Sequence, residues 1–366
     1  MEKYYRAALL ETEGVGARTL EKLLSYFGTG EAIWQCSYGE LKGCPELVAG
    51  TAESLWQLLQ HKDKPEKLAK ICQHKGIKLC LLEDVEYPSL LREIHNPPQV
   101  LFYRGSFVGE QLHIGVVGSR KASSYGKAVA EKLGKILGQA GIAVISGAAA
   151  GIDSCAHKGA LESGTTVAVL GCGVDVAYPP QNRKLIDMIA EKGAVVSEYL
   201  PGALPMAARF PARNRIISGI AAGTVVVEAA ERSGSLITAE QALDEGRDVF
   251  AVPGSIFASN SRGCHKLIQQ GAKLVTCCED IVQEYVNLLQ KNIQTQNIIQ
   301  KNKTRVIMTK DEEQIYNLLT IDNPLSIDDI LYKLHGCDAA NVAFVLMQLE
   351  LRGLVRTNEV HCYVRT

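Results

Sequence analysis

The sequence predicts an α/β protein with an extended Rossmann-like, mostly parallel sheet as its core. A small helical domain precedes that core and a C-terminal winged helix follows it. Three observations carry the prediction. Apolar, β-branched runs alternate with helical patterns through the middle of the chain, as strands joined by crossover helices do. The pattern before them is purely helical, and the pattern after them is three helices and a hairpin. The 366 residues exceed one ordinary domain, and 46% of them are hydrophobic, enough for a sizeable core.

Residues 1–70 read as short helices, a helix-hairpin-helix or SAM-like module. A helical apolar pattern over 4–12 breaks at Gly14-Val15-Gly16 and resumes over 17–27, with Gly28 placed to end it. Backbone amides in such a hairpin can hold a DNA phosphate. Plain helical packing is the other reading, and the segment's net charge of −1 favours it.

Residues 75–285 form the predicted core. Strand runs stand at 113–118, 142–147, 166–173, 194–198, 224–229 and 248–254, with shorter signals at 77–82 and 100–105. Helical patterns lie between them, at 126–139, 153–162, 182–191, 214–220, 238–245 and 265–270. Residues 286–304 are amide-rich and cationic with little packing material, which predicts a linker. In 305–366, helices are expected at 311–319, at 326–334 behind a Ser326/Asp329 capping box, and at 338–352. A hairpin around Asn358-Glu359 completes the winged helix. Its net charge of −3 suits a partner or self-association module better than a DNA reader.

The whole chain has net charge −1, so any polyanion must bind a local patch, and 71–304 with net +3 is where to seek it. The opening residues are too polar for a secretory signal, and no apolar run reaches the roughly 18 residues of a membrane span. A soluble, cytoplasmic protein is expected. The eleven cysteines form no CxxC pair and read as free thiols in a reducing compartment. Asp153 and His157 stand at i, i+4 and could share a metal, but no third ligand accompanies them. Capping and packing explain them more simply, and no metal or cofactor is expected.

Ligands of open α/β sheets bind at the carboxyl ends of strands, beside helix N-termini. Here Gly118, Gly147, Gly171 and Gly254 sit at such ends, where glycine would admit a ligand close to the backbone. Ser119, Ser146, Ser233 and Ser235 add hydroxyls. No GxGxxG is present, so a dinucleotide is not expected. Between residues 201 and 227 the only charged side chains are Arg209, Arg213 and Arg215. With Phe210 they place guanidinium groups and a stacking ring at a helix start, a combination suited to phosphates and unpaired bases. Arg120 should face the same crevice. The competing reading closes these arginines into ion pairs, with Glu228 or Glu231 as partners. Ser233-Gly234-Ser235 resembles a nucleophile loop, but no His/Asp pair can be assigned to it.

Seven ordered motifs over about residues 80–280 resemble the DprA/Smf family of DNA-processing proteins. They are GSRKASSYG, ISGAAAGIDSCAHKGAL, VLGCGVDVAYPPQNRKL, FPARNRIISGI, SGSLITAEQAL, GRDVFAVPGS and GCHKLIQQGA. The resemblance implies a homodimer that binds single-stranded DNA and loads RecA recombinase onto it in natural transformation and recombination, without catalysis. Carried over by position, its DNA site is Ser119, Arg120, Ser146, Gly147, Arg209, Phe210, Arg213, Asn214, Arg215, Ser233, Gly234 and Ser235. Dimerisation would fall around 265–274. Ala150 stands where the family pattern carries arginine, and His265 where it often carries asparagine. Met206-Ala207-Ala208 offers no lysine before FPARNR. The alternative is a Rossmann-type nucleotide hydrolase using Glu240 in SGSLITAE, although the glycine pair of such loops is missing.

Overall fold

The computed structural model describes residues 1–45, 47–107, 111–286, 309–320, 325–334, 338–351, 354–357 and 362–365. Nearly all of the expected linker, and the Asn358-Glu359 turn, lie outside the described residues. The chain divides into two compact units, Met1–Ile298 and Ile299–Thr366.

The first unit is built on nine strands: β1 (Lys78–Leu81), β2 (Val100–Gly105), β3 (His113–Val117), β4 (Ala143–Ser146), β5 (Thr166–Val169), β6 (Ala194–Ser197), β7 (Gly223–Val226), β8 (Asp248–Ala251) and β9 (Lys273–Leu274). Their order in the sheet is β1-β2-β6-β5-β4-β3-β7-β8-β9. β2 runs antiparallel to both β1 and β6, and every other neighbouring pair is parallel. The chain winds outward from β3 to β6, returns to lay β7 beside β3, and winds outward the other way. Loops leaving β3 and β7 therefore diverge to opposite faces and open a crevice at that switch point. Strands β4 to β7 are buried at every residue. Runs such as AVIS and TVAV do not alternate because helices cover both faces.

Six helices precede the sheet: α1 (Glu2–Leu9), α2 (Ala17–Phe27), α3 (Gly30–Gln35), α4 (Tyr38–Lys42), α5 (Ala49–Leu59) and α6 (Lys64–His74). Their buried side chains, among them Leu9, Leu20, Trp34 and Leu55, share one apolar cluster with Leu79, Phe102, Leu170 and Ile186 of the sheet region. Gly14 (φ 85°) turns the chain between α1 and α2, and Gly28 (φ 84°) ends α2 at the expected place.

The remaining helices of this unit are α7 (Ser89–Arg92), α8 (Ser124–Gln139), α9 (Ile152–Ser163), α10 (Arg183–Lys192), α11 (Arg209–Ile220), α12 (Gly234–Asp244), α13 (Arg262–Gln269) and α14 (Glu279–Val282). Helices α11 and α12 begin a full turn before their apolar periodicity does. Their first turns carry arginines, serines or glycine at the crevice edge, which a hydrophobic period cannot register.

Helices α8 and α9 pack closely because glycines on each face the backbone of the other. A Cβ on Gly159 would fall 1.9 Å from the Glu131 carbonyl oxygen, and one on Gly134 would fall 2.2 Å from that of Ala156. No side chain can yield there, since both obstacles are backbone.

The second unit contains α15 (Lys310–Leu318), α16 (Ile327–Lys333), α17 (Ala339–Leu351) and the antiparallel pair β10 (Val355–Thr357) and β11 (Tyr363–Arg365). Thr309 and Ser326 each open a helix with a complete capping box, closed by Glu312 and Asp329. Ile315, Leu319, Ile330, Leu346 and Leu349 form its core.

The α8–α9 contact gives a direct prediction. Gly159→Ala should destabilise the protein by at least about 1–3 kcal/mol, because the helices must move apart to admit one methyl. Gly246→Ala removes a glycine with open space around its Cβ position but a φ of 66°, so its smaller cost should be about 1 kcal/mol of backbone strain. Urea denaturation of both variants checks this, and equal stabilities would refute the packing argument.

Candidate nucleic-acid interface

The crevice at the switch point is held shut at its base by Glu228, which follows β7. Its carbonyl oxygen accepts from Ser119 N (2.7 Å), and its buried carboxylate accepts from Ser123 N (2.9 Å) and the Ser123 hydroxyl. Glu228 thus joins the β3 and β7 loops and does not pair with an arginine.

One strand over, the loop after β4 is fixed by Asp153 in the first turn of α9. Its buried carboxylate accepts from Gly147 N (3.1 Å) and Ala149 N (3.3 Å). Burial raises the Asp153 pKa, opposed chiefly by the positive charge of Arg213 and then by those amides. Between them Ala148 is forced to φ 53°, and Asn182 Nδ2 holds its carbonyl oxygen at 2.9 Å. Arg213 itself is 4% exposed and donates to the Val169 carbonyl oxygen at the end of β5. Burial lowers its pKa to about 10, so the guanidinium stays charged.

His157 lies in the same buried layer. Thr166 Oγ1 donates to Val144 O (2.6 Å), which commits its proton, so His157 Nδ1 must donate to Thr166 Oγ1 across 2.7 Å. Burial, and secondarily the charge of Arg213, lowers the His157 pKa to about 3. Asp153 and His157 therefore serve packing and loop support, each with a protein partner.

These contacts revise the sequence reading of the glycines. Cβ atoms on Gly118, Gly171 and Gly254 would strike Ile152, the Phe210 ring and Ser261 Oγ respectively, at 2.7, 3.0 and 2.2 Å. A Cβ on Gly147 would lie 2.5 Å from Arg213 Nη2. All four admit protein atoms, where the sequence suggested a ligand.

The expected site residues fall into two groups. Ser146 is fully buried and donates to Val116 O (2.6 Å), Gly147 spends its amide on Asp153, and Arg213 is enclosed. Arg215 makes a largely buried ion pair with Glu198, a partner other than the acids suggested by sequence. Ser233 caps α12, accepting from Ser235 N, and the two hydroxyls lie 2.8 Å apart. Gly234 opens that helix, and its carbonyl oxygen accepts from Asn214 Nδ2 (3.4 Å). Those residues shape the crevice from within.

The others face outward. Arg120 is exposed, with its guanidinium 5.3 Å from the centre of the Phe210 ring. Ser119 Oγ accepts from Lys121 N (3.2 Å). Arg209 lies 4.6 Å from the Tyr199 ring and donates to Leu204 O (2.9 Å). Phe210 also stacks on Tyr178 at 5.3 Å between centroids.

Tyr178, 37% exposed, was missed by sequence reasoning, as were the exposed cations Lys121, Arg183, Lys184, Arg232 and Arg262. Among the described residues none of these cations, nor Arg120, is ion-paired with an acid. Each stands just beyond a strand or at the start of the helix after it, and that position was the available signal. A neighbouring cavity of about 420 Å³ runs from the α1–α2 turn to Tyr199 and Arg209. Glu11, Glu13 and Glu198 line it, which makes it a poor seat for phosphate.

Two predictions test this layout. Arg213→Ala should destabilise the fold by about 3–5 kcal/mol, since it strands Asp153 in the interior. Arg120→Ala should change stability by no more than about 0.5 kcal/mol. Thermal melts compare them directly, and a mild Arg213→Ala would contradict the buried role.

The second concerns pH. Burial lowers His113 to about 4 as well, so both histidines are neutral in the fold. Unfolded imidazoles take protons near pH 6.5, so the unfolded state binds more protons as pH falls. The stability due to these neutral rings is present above about pH 6.5 and declines below it, by up to about 1.4 kcal/mol per unit for each histidine. Urea denaturation between about pH 7.5 and pH 5 should show the decline, and His157→Gln should flatten it. A slope unchanged by the substitution would rule His157 out as its source.

Comparison with known proteins places this geometry. The family model for DNA recombination-mediator protein A matches residues 78–286, from β1 to the end of the first unit's described residues. The DNA processing protein DprA of Streptococcus pneumoniae is 49% identical over 207 residues, covering 56% of this chain and 73% of that protein. DprA of Bacillus subtilis is 40% identical over 241 residues, 65% of this chain and 80% of that protein. The X-ray structure of S. pneumoniae DprA superposes with a TM-score of 0.65 at 39% identity, covering 77% of this chain and 97% of that one. A Helicobacter pylori DprA structure, described for its single-stranded DNA binding mode, matches with a TM-score of 0.51 at 27% identity, covering 59% of this chain and 97% of that one. The chain belongs to the DNA recombination-mediator protein A family.

Proposed function

We propose that this protein holds single-stranded DNA along the carboxyl rim of its sheet and acts as a recombination mediator that loads RecA recombinase, without chemistry of its own. The observation that carries the reading is the row of exposed, unpaired cations beside the Tyr178–Phe210–Arg120 cluster at the switch point. Cations fix phosphates without regard to sequence, and aromatic faces accept any unpaired base. A duplex keeps its bases stacked on one another, so only a single strand uses both features. The single-stranded DNA binding described for the H. pylori relative supports the assignment.

Within the expected site, Ser119, Arg120, Arg209 and Phe210 make the contacts, joined by Tyr178 and the exposed cations. Ser146, Gly147, Arg213, Asn214, Arg215, Ser233, Gly234 and Ser235 position them. A homodimer is supported by β9, an edge strand on which Leu274 is exposed. We take residues 1–70, 75–285 and 305–366 as the working domains, the last a winged helix that engages a protein partner. Phe344 and Met347, exposed one turn apart on α17, support that role. No described helix is long and apolar enough to cross a membrane, which agrees with a cytoplasmic site of action. The hydrolase alternative rests on Glu240, which is exposed in the second turn of α12, while the nearby Ser233 hydroxyl is occupied by capping.

The test is fluorescence anisotropy with oligo-dT and with blunt duplex of equal length. Oligo-dT should bind more tightly, and its log affinity should fall with log salt by about 0.7 per phosphate contacted. Arg120→Ala and Arg232→Ala should each cost about 1–2 kcal/mol and remove about one contact from the slope. Equal affinity for duplex and oligo-dT would overturn the single-strand reading.

A further inference from the structure

The rim extends past the cluster around Phe210. Two strands beyond β3, the loop between β8 and α13 carries Ile256 and Phe257 at its tip, 74% and 90% exposed. Burying a phenylalanine ring is favourable, so a ring left this bare requires that the loop cannot fold it inward. The backbone contacts explain why. Phe257 N donates to Ser255 Oγ (3.3 Å) and Ala258 N to Ser255 O (3.0 Å), which closes the tip as a turn.

The base of the loop is fastened on three sides. Asn260 Nδ2 donates to Lys121 O (3.2 Å) in the loop bearing Arg120, and Asn260 O accepts from Ala229 N (2.7 Å) beyond β7. His265 Nε2 lies 2.9 Å from the Gly254 carbonyl oxygen. A fixed loop therefore presents an unpacked aromatic ring on the same edge of the sheet as the candidate DNA site.

Charge favours one kind of occupant. No acidic residue occurs between Asp248 and Glu279, a stretch whose Arg262 and Lys266 pair with no acid among the described residues, while its Lys273 is taken by Glu284. Arg120 and Lys121 stand on the loop to which the tip is tied. An exposed ring among unpaired cations suits a nucleobase whose phosphates are held on either side. The ends of β5 and β8, whose loops carry Tyr178 and Phe257, are four strand spacings apart, about 19 Å.

We propose that Phe257 is a second base-stacking residue, and that the bound single strand runs along the rim from Tyr178 and Phe210, past Arg120, to Phe257. This rests on the single-strand reading of the rim and extends it to a surface outside the expected site.

The experiment uses the full chain with Phe257→Ala, Phe257→Trp and Arg120→Ala. The probes are oligo-dT and an abasic oligonucleotide of the same length, with sedimentation run in parallel. Phe257→Ala should weaken oligo-dT binding about tenfold, within the range for loss of one stacked base, and leave abasic binding unchanged. Phe257→Trp should restore affinity, with its emission quenched by oligo-dT. If Phe257→Ala matches wild type while Arg120→Ala weakens binding, the extension is wrong and the rim reading stands. Loss of binding by neither variant would remove both. If Phe257→Ala instead turns dimers into monomers, or weakens both probes equally, the ring serves a protein contact or the fold and the proposal is overturned.

Discussion

The crevice depends on one buried carboxylate. Asp153 draws the amides of Gly147 and Ala149 toward the start of α9, and that pull sets the loop between β4 and the helix. An anion in the interior is costly unless charge and hydrogen bonds compensate it. The amides supply part of that compensation and Arg213 supplies the opposing charge, from α11 on the other face of the sheet. Because Arg213 also donates to the end of β5, the same electrostatic link joins α9, α11 and the β5 terminus. Ala148 can then remain at a positive φ, which a looser loop would relax.

This arrangement changes what the arginine-rich segment means. RFPARNR reads as a phosphate patch because three guanidinium groups lie within seven residues and no acid is near in sequence. Acids near in space are another matter, and Glu198 and Asp153 come from different strands and helices. The segment's outer members, Arg209 and Phe210, remain at the surface, while Arg213 and Arg215 turn inward to the Val169 carbonyl and Glu198. The exposed cations are instead scattered among loops, where no local run announces them.

Much of the fold was legible. Short, non-alternating β-branched runs separated by amphipathic helices specify a parallel sheet covered on both faces, and β3 to β8 carried that signal, while β1 and β2, which pair antiparallel, showed only as short apolar runs. The two-residue β9 gave no signal, since a pair of residues has no period. Helix starts at the crevice were obscured for a physical reason already evident in α11 and α12: their first turns carry arginine, serine and glycine, which give no apolar period. Glycine was legible as a marker of close approach but not of what approaches. At Gly147 it is a guanidinium, at Gly171 an aromatic ring, and at Gly118 an isoleucine.

The glycines and the exposed cations together describe how a binding surface for a flexible polymer can be built without a deep pocket. Close packing of Gly171 against Phe210, and of Gly118 against Ile152, brings loops from separate strands onto one level at the sheet edge. Glu228 and Asn260 then tie neighbouring loops together by hydrogen bonds. Rigid loops hold their charged side chains at fixed spacing, which limits the entropy lost when a strand is bound. Among the described residues, the cations that reach outward from these loops stay unpaired with acids. Rigidity below and unsatisfied charge above are complementary requirements, and the buried Asp153 and Arg213 supply the first so that Arg120 and its neighbours can supply the second.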